Sequence, residues 1–425
     1  MSRKMVVNCI RKQLHFGGRF QFELDALDIL TNLEHVVPFF QPIFNADEHK
    51  IIGYEVLGRY INGNDDISLG SFFQDDTIPE EYRIEVENVV FIKAMEVASQ
   101  SGEQELLWFI NRDASLLMMD DGEGLLQLIL SHQEMGVKPE NIVLEISVSN
   151  EQVHIEHLIN YYKSFGIKIA MDKVGSESSY FEHIAGIEPE ILKIDMSSLK
   201  SNNSGPAYID VLHSLSILAR KIGATLLFEN IETPYQLQFA WKNGGRFYQG
   251  FYLIKPQRRL VEKDILREKL KSEIHGFILS EKKRLHSFFD LRIELHTKFQ
   301  ELINRNKKWQ NSSEFLISLG DSLDGIAFRM YICDEDGFQL SPNLYKTGDQ
   351  WLLQPKYEGK NWSWRPYFLE NIIRMRTGKK GILSDRYSDI ETGEVIRTFS
   401  LPLNGTEFLF VDLSASFLNQ REGLF

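Results

Sequence analysis

Six times between Leu27 and Pro256, a short run of β-branched and aromatic residues closes on a single polar side chain and gives way to a helical stretch. The runs are Leu106–Asn111, Ile142–Glu145, Ile167–Asp172, Ile191–Lys193, Ala224–Glu229 and Phe247–Gln249. Between them lie amphipathic segments. Ile84–Ala98 sets Val86, Val89, Val90 and Ala94 on one side, and Ala207–Ile222 does the same with Val211, Leu212, Leu215, Leu218 and Ala219. Strand and helix in alternation build a parallel sheet, because parallel neighbours need a long crossover between them. So many strands within roughly 230 residues fit a closed barrel better than an open sheet.

A closed barrel of this kind brings the carboxyl ends of its strands to one mouth, where sites are assembled from several strands. Asn111, Glu145, Asp172, Lys193, Glu229 and Gln249 all fall at that end of their runs. Glu55 joins them: Val36–Phe44 runs into a turn at Asn45–Lys50, and Ile51–Tyr54 then delivers this acid, with Arg59 four residues on. A lone Glu and Arg at that spacing read as a solvated pair. Recurrence down the chain turns the same feature into a candidate site. Glu55, Asn111, Glu145 and Asp172 are all oxygen donors, which suits Mg²⁺, Mn²⁺ or Ca²⁺ rather than zinc or copper. Arg59 adds a planar donor for a phosphate, so the combination points to a phosphorylated substrate held by a metal.

The sequence excludes several other classes. Its formal net charge of −13 leaves no basic excess to release counterions from duplex nucleic acid, so direct DNA binding is not expected. No apolar stretch approaches the length of a membrane span. Cys9 and Cys333 lie far apart without metal-ligand spacing, which fits a reduced, cytoplasmic setting. Met1–Phe22 is basic and lacks the apolar run and cleavage site of a signal peptide. It reads either as a disordered arm or as translated leader sequence ahead of a true start near Leu24, since Gly17-Gly-Arg19 is what an in-frame ribosome-binding site would encode.

Seven ordered motifs, Glu55-Val-Leu57, Phe109-Ile-Asn-Arg112, Leu144-Glu-Ile-Ser147, Asp172-Lys-Val-Gly175, Leu192-Lys-Ile-Asp195, Glu229-Asn-Ile-Glu232 and Gln249-Gly-Phe251, resemble the signature of EAL domains. Those are TIM-like (β/α)8 barrels that act as phosphodiesterases or receptors for the bacterial second messenger cyclic di-GMP. The resemblance covers Leu27–Pro256 and is nearest to the two-domain EAL proteins of Gram-positive bacteria with a sensor-like C-terminal domain. It implies that Glu55, Asn111, Glu145 and Asp172 bind a divalent metal, and that Lys193 and Glu229 position or deprotonate the attacking water. It further implies that Gln41, Leu57, Arg59, Asp195 and Gln249 contact the nucleotide. Glu232 would brace the site, and the loop at Lys173–Ser179 would couple it to the partner of a homodimer.

Two positions depart from the pattern. Where the family motif carries a second acid after Asp172, this chain has Lys173, and the acid expected three residues after Glu145 is Val148. At roughly 4 Å two like unit charges repel by about 4 kcal/mol at an effective dielectric of 20, and a dication doubles it. A second metal is therefore disfavoured at Lys173, while the nucleotide contacts remain.

Beyond Pro256 the pattern changes. Arg258–Asn306 holds no proline and spaces Leu266, Leu270, Ile274 and Phe277 by three and four residues, so it reads as one or two long charged helices. Such a segment is either a spacer or a signalling helix that pairs with its copy. Ala327–Ile332, Val395–Leu403 and Glu407–Val411 read as strands, with turn signals at Asp334–Gly337 and Glu391–Gly393 and a helix around Pro366–Arg376. This part resembles an α+β sensor of the PAS or Cache type. Trp362, Trp364, Arg365, Tyr367 and Tyr387 form either an aromatic pocket for an unknown small acidic ligand or part of the core.

The chain thus divides into an extension (1–25), an EAL-type barrel (26–257), a helical linker (258–308) and a PAS/Cache-like domain (309–425). The favoured function is a cyclic di-GMP receptor with weak or no hydrolysis. The alternatives are an active phosphodiesterase releasing the linear dinucleotide and a dimeric scaffold without nucleotide.

Overall fold

The protein is described by a computed structural model covering residues 26–119, 122–147, 155–172, 174, 180–200, 206–306, 311–365 and 368–420. Val148, Lys173, the rest of its loop apart from Val174, Tyr367 and the 1–25 extension lie outside the described residues. The chain forms two compact units that divide between Ile274 and His275.

The first unit is a closed barrel. Its strands are β1 (Val36–Asn45), β2 (Ile51–Asn62), β4 (Leu107–Asp113), β5 (Ile142–Ser147), β6 (Lys168–Met171), β7 (Ile191–Asp195), β8 (Thr225–Glu229) and β9 (Phe247–Tyr248), with β3 (Asp65–Ser68) extending β2. From β2 through β4 to β9 every pairing is parallel. The ring closes through β1, which is antiparallel to both β2 and β9. The reason is length. Only Ala46–Lys50 separates β1 from β2, too short for a crossover, so the two strands form a hairpin. Gly53 permits β2 to lie beside β4: a Cβ there would come 2.3 Å from the carbonyl oxygen of Leu107.

The barrel interior is filled by a layer of apolar side chains, Ile43, Phe109, Val143, Ala170, Ile191 and Leu227. Helices pack outside it. Glu80–Gln100 buries Val86, Val90 and Ala94 as their spacing requires, and Pro206–Ile222 buries Leu212, Leu215 and Ala219. Val211 departs from expectation and is exposed, because it lies at the margin of that stripe.

The segment after the barrel is a single 39-residue helix, Arg267–Arg305, which continues past Ile274. Its later turns contribute Leu291, Leu295, Phe299 and Leu302 to the core of the second unit. That unit carries β10 (Ala327–Asp334), β11 (Asn343–Thr347), β12 (Gln350–Gln354), β13 (Ile382–Leu383), β16 (Thr398–Pro402) and β17 (Glu407–Leu413) in one sheet ordered β12-β11-β10-β17-β16-β13. β14 (Tyr387–Ser388) pairs with β15 (Val395–Ile396). The expected run Val395–Leu403 is thus two strands, and the expected helix is Phe368–Gly378.

In the second unit Trp362 and Arg365 do line a cavity, but its volume is about 20 Å³, room for one water. The Trp362 indole Nε1 donates to Gln339 Oε1 at 2.9 Å, and the Arg365 guanidinium lies 4.6 Å from the centre of the Trp362 ring. Trp364 is exposed, and the Tyr387 hydroxyl is 2.6 Å from Thr398 Oγ1. The pair Trp362 and Arg365 therefore packs together rather than opening a ligand-sized pocket.

Candidate active site

Successive side chains of a strand alternate between its two faces, so the polar residue at each strand end faces either the barrel axis or the helices. The register decides which residues meet. Gln41 of β1 lies opposite Glu55 of β2, Asn111 of β4 beside Glu145 of β5, and Asp195 of β7 beside Glu229 of β8. Asp172 follows directly after β6, and its N–H donates to the carbonyl of Ile146 at 3.0 Å.

At the centre stands Lys193, 1% exposed. Its ammonium donates to Glu145 Oε2 at 2.7 Å and lies 3.1 Å from Glu229 Oε2, 3.7 Å from Asp172 Oδ1 and 3.8 Å from Glu55 Oε1. Glu55 is held from both sides: Asn111 Nδ2 donates to Oε1 at 2.8 Å and Gln249 Nε2 to Oε2 at 2.5 Å. Ser147 Oγ donates to Asp172 Oδ2 at 3.4 Å. Gln249 is brought to Glu55 by an unusually close approach of backbone. A Cβ at the next residue, Gly250, would lie 2.1 Å from the Ile231 carbonyl oxygen.

Four carboxylates around one ammonium leave excess negative charge in a buried place. Burial raises the Glu145 carboxyl well above the usual range, and the neighbouring Glu55 and Asp172 add to this against the pull of Lys193. Burial likewise brings Glu229 up to about 7, despite Lys193. For Glu55 burial also pushes upward, but Lys193 and the amides of Asn111 and Gln249 prevail and hold it below the usual range. Burial works against the Lys193 charge; Glu145, Glu229, Glu55 and Asp172 overcome it and raise its pKa well above that of an ordinary lysine.

The donor set fits a hard dication. Glu55, Glu145 and Asp172 supply carboxylate oxygens, and Asn111, whose amide nitrogen goes to Glu55, retains its carbonyl oxygen for a cation. Glu145 Oε1 is buried without a hydrogen-bond partner, as is Gln249 Oε1; an orphaned buried carboxylate oxygen is an invitation to a ligand. Among the described residues no three His, Cys, Asp or Glu side chains already form a metal cage. The carboxylates face the Lys193 ammonium instead.

The remaining candidates form an outer zone. Arg59 donates to Ser68 Oγ at 2.9 Å and lies over the Phe39 ring at 5.8 Å. Leu57 is half-buried on the same face of β2, and Gln41 is buried. Asp195 Oδ1 accepts from the Ser197 N–H at 2.7 Å and from Asn230 Nδ2 at 3.0 Å. Glu232 is exposed and stands outside the buried ring, just ahead of the capping box in which Thr233 and Gln236 start the helix Pro234–Lys242. Ser147 and Asn230 are visible within motifs, yet only the folded geometry gives them partners. Tyr252, which anchors the segment after Gln249, has no sequence signal.

Comparison with known proteins shows the family. The EAL domain family model matches residues 25–256, and a model described as an EAL-domain associated signalling protein domain matches residues 260–425. The chain is 47% identical over 406 residues to the EAL-domain containing protein YkuI of Bacillus subtilis, covering 94% of this chain and 100% of that protein. The crystal structure of B. subtilis YkuI in complex with substrate c-di-GMP and calcium superposes with a TM-score of 0.90 at 45% identity, over 95% of this chain and 100% of that one. The probable cyclic di-GMP phosphodiesterase PdeG of Escherichia coli is 26% identical over 234 residues, 53% of this chain and 45% of its own length.

Proposed function

We propose, since the chain belongs to the EAL-domain family in the two-domain form that carries the EAL-associated signalling domain, that it is a receptor for cyclic di-GMP with little or no turnover. The observation that carries the reading is the buried ring of Glu55, Glu145, Asp172 and Glu229 around Lys193, with Glu145 Oε1 left without a partner. It is supported by the likeness to a YkuI structure that holds c-di-GMP and calcium.

In this reading Glu55, Asn111, Glu145 and Asp172 hold a divalent cation of the Mg²⁺, Mn²⁺ or Ca²⁺ type. Such a cation neutralises a phosphodiester and, where hydrolysis occurs, polarises it toward attack by water. Gln41, Leu57, Arg59, Asp195 and Gln249 contact the nucleotide, and Arg59 contributes a charge-assisted donor for phosphate. Lys193 and Glu229 orient a water beside the phosphodiester. Glu232 supports the turn that follows Glu229. The weak turnover rests on the sequence, which has Lys173 and Val148 at positions where the family pattern has acids. The reading includes a cytoplasmic location and a homodimer. Leu285, Phe289 and Ile293, exposed at four-residue spacing on the long helix, support the dimer, and sedimentation equilibrium tests it.

One observation favours the alternative of a working phosphodiesterase. Glu229, at about 7, has the proton affinity of a general base near neutrality and stands beside a lysine that can orient water. Calorimetry with cyclic di-GMP and Ca²⁺, run beside a product assay in Mg²⁺ or Mn²⁺, separates the two. The receptor reading expects saturable binding with product formation far below roughly 1 s⁻¹; turnover at that rate or above establishes the enzyme.

A further inference from the structure

The segment after Gln249 is fastened at two places. On one side it is stitched to the turn after β8: the Ile231 N–H donates to the Gln249 carbonyl at 3.1 Å, and the Tyr252 N–H donates to the Ile231 carbonyl at 2.9 Å. Ile231 itself lies between Glu229 and Glu232. On the other side Tyr252 is gripped by the first two turns of the helix Arg267–Arg305. Its hydroxyl donates to Glu273 Oε1 at 2.5 Å, Lys269 Nζ donates to its carbonyl at 2.7 Å, and the same ammonium lies 3.8 Å from its ring centre. Two charged side chains one helical turn apart thus hold one tyrosine by its hydroxyl, its ring and its backbone.

We infer that Tyr252, Lys269 and Glu273 are positioning residues for the ligand site. They fix the segment that aims the Gln249 amide at Glu55, so the start of the long helix sets how well the site binds. The inference rests on the cyclic di-GMP reading and adds to it a control point. The path from helix to site is short: Glu273 to Tyr252, Tyr252 through Ile231 to Gln249, and Gln249 to Glu55. It has little slack, because Gly250 meets the Ile231 backbone too closely to admit a side chain.

The test uses the full chain and calorimetry with cyclic di-GMP in Ca²⁺, beside thermal melts without ligand. Tyr252→Phe and Glu273→Ala each remove the same hydrogen bond and should weaken binding by roughly threefold to tenfold, with the ligand-free melt nearly unchanged. The double variant should be no weaker than either single one, since the two act on one link. In a Gln249→Ala background Tyr252→Phe should have no further effect on affinity. Unchanged affinity in Tyr252→Phe, or an equal loss with and without Gln249, overturns the inference. If the parent chain itself does not bind cyclic di-GMP, the receptor reading fails first and this one falls with it.

Discussion

Lys193 donates to Glu145 Oε2 at 2.7 Å, and both residues are 1% exposed. A buried ion pair of this kind is held by its surroundings, because each charge is expensive to strand. Lys193→Met should therefore destabilise the metal-free chain by roughly 3–5 kcal/mol, the usual effect of removing one partner of a buried pair. Ca²⁺ should restore much of the loss, since a dication takes over the role of the ammonium among the carboxylates. A metal-free melt equal to that of the parent would show that the ring does not depend on Lys193.

Glu229 gives the metal-free chain a pH signature. Burial keeps its proton in place up to about pH 7 in the folded state, whereas the ordinary value is 4.5. Between these values the folded state binds the extra proton. Its stabilising contribution is thus complete below about 4.5 and is lost as the pH rises through 7. Glu55 acts in the opposite sense. Its depressed pKa stabilises the fold above the unfolded value, and that contribution is lost as the pH falls through the folded one. Denaturant titrations from pH 5 to 8 should show a decline that Glu229→Gln flattens; an identical slope in the variant would remove Glu229 as its source.

Nucleotide and metal contacts can be separated by two substitutions on β2. Arg59→Ala should weaken cyclic di-GMP binding by roughly 1.5–3 kcal/mol, the worth of a charge-assisted hydrogen bond. Glu55→Ala should abolish the rise in melting temperature produced by divalent metal, because it removes a charged oxygen ligand. Calorimetry checks the first, and melts with and without Ca²⁺ check the second. An undiminished affinity, or an undiminished metal effect, excludes the corresponding residue from the site.

How far the sequence reveals this site depends on which interactions are local. The polar strand ends are legible because a strand running to a barrel mouth carries its apolar residues before the end and its chemistry at it. Asn111, Glu145, Asp172, Lys193, Glu229 and Gln249 are found that way. The antiparallel course of β1 is implicit in the short turn at Ala46–Lys50, yet the alternation of strand and helix draws attention toward a wholly parallel barrel. Other features have no local trace. Arg329 is buried between Asp389 at 2.7 Å and Asp412 at 2.5 Å, two partners far away in the chain. The hairpin of β11 and β12 lies at a sheet edge with much of its surface exposed, so its hydrophobic pattern is faint. The grip of Lys269 and Glu273 on Tyr252 depends on where a helix begins relative to a barrel loop, which side-chain periodicity does not encode.

Lys173 decides between receptor and enzyme, and it can be tested although it lies outside the described residues. The proposed reading takes an acid from the EAL pattern at this position as a second-metal ligand, where this chain has a lysine. Lys173→Asp restores the acid and removes the positive charge at once. Asp172 at 3.7 Å and Glu229 at 3.1 Å from the Lys193 ammonium would, in the proposed reading, supply the rest of a hydrolytic set. Hydrolysis of cyclic di-GMP to the linear dinucleotide should rise at least tenfold, about 1.4 kcal/mol of barrier, most clearly in Mn²⁺ or Mg²⁺. Val148→Glu restores the second missing acid and should add to the gain. Affinity in the absence of metal should change little, since neither residue is assigned to the nucleotide in the proposed reading. A product assay on the single and double variants gives the answer: no gain in either would mean that a missing second-metal ligand is not what limits turnover, and a parent rate of roughly 1 s⁻¹ or more would mean that nothing is missing.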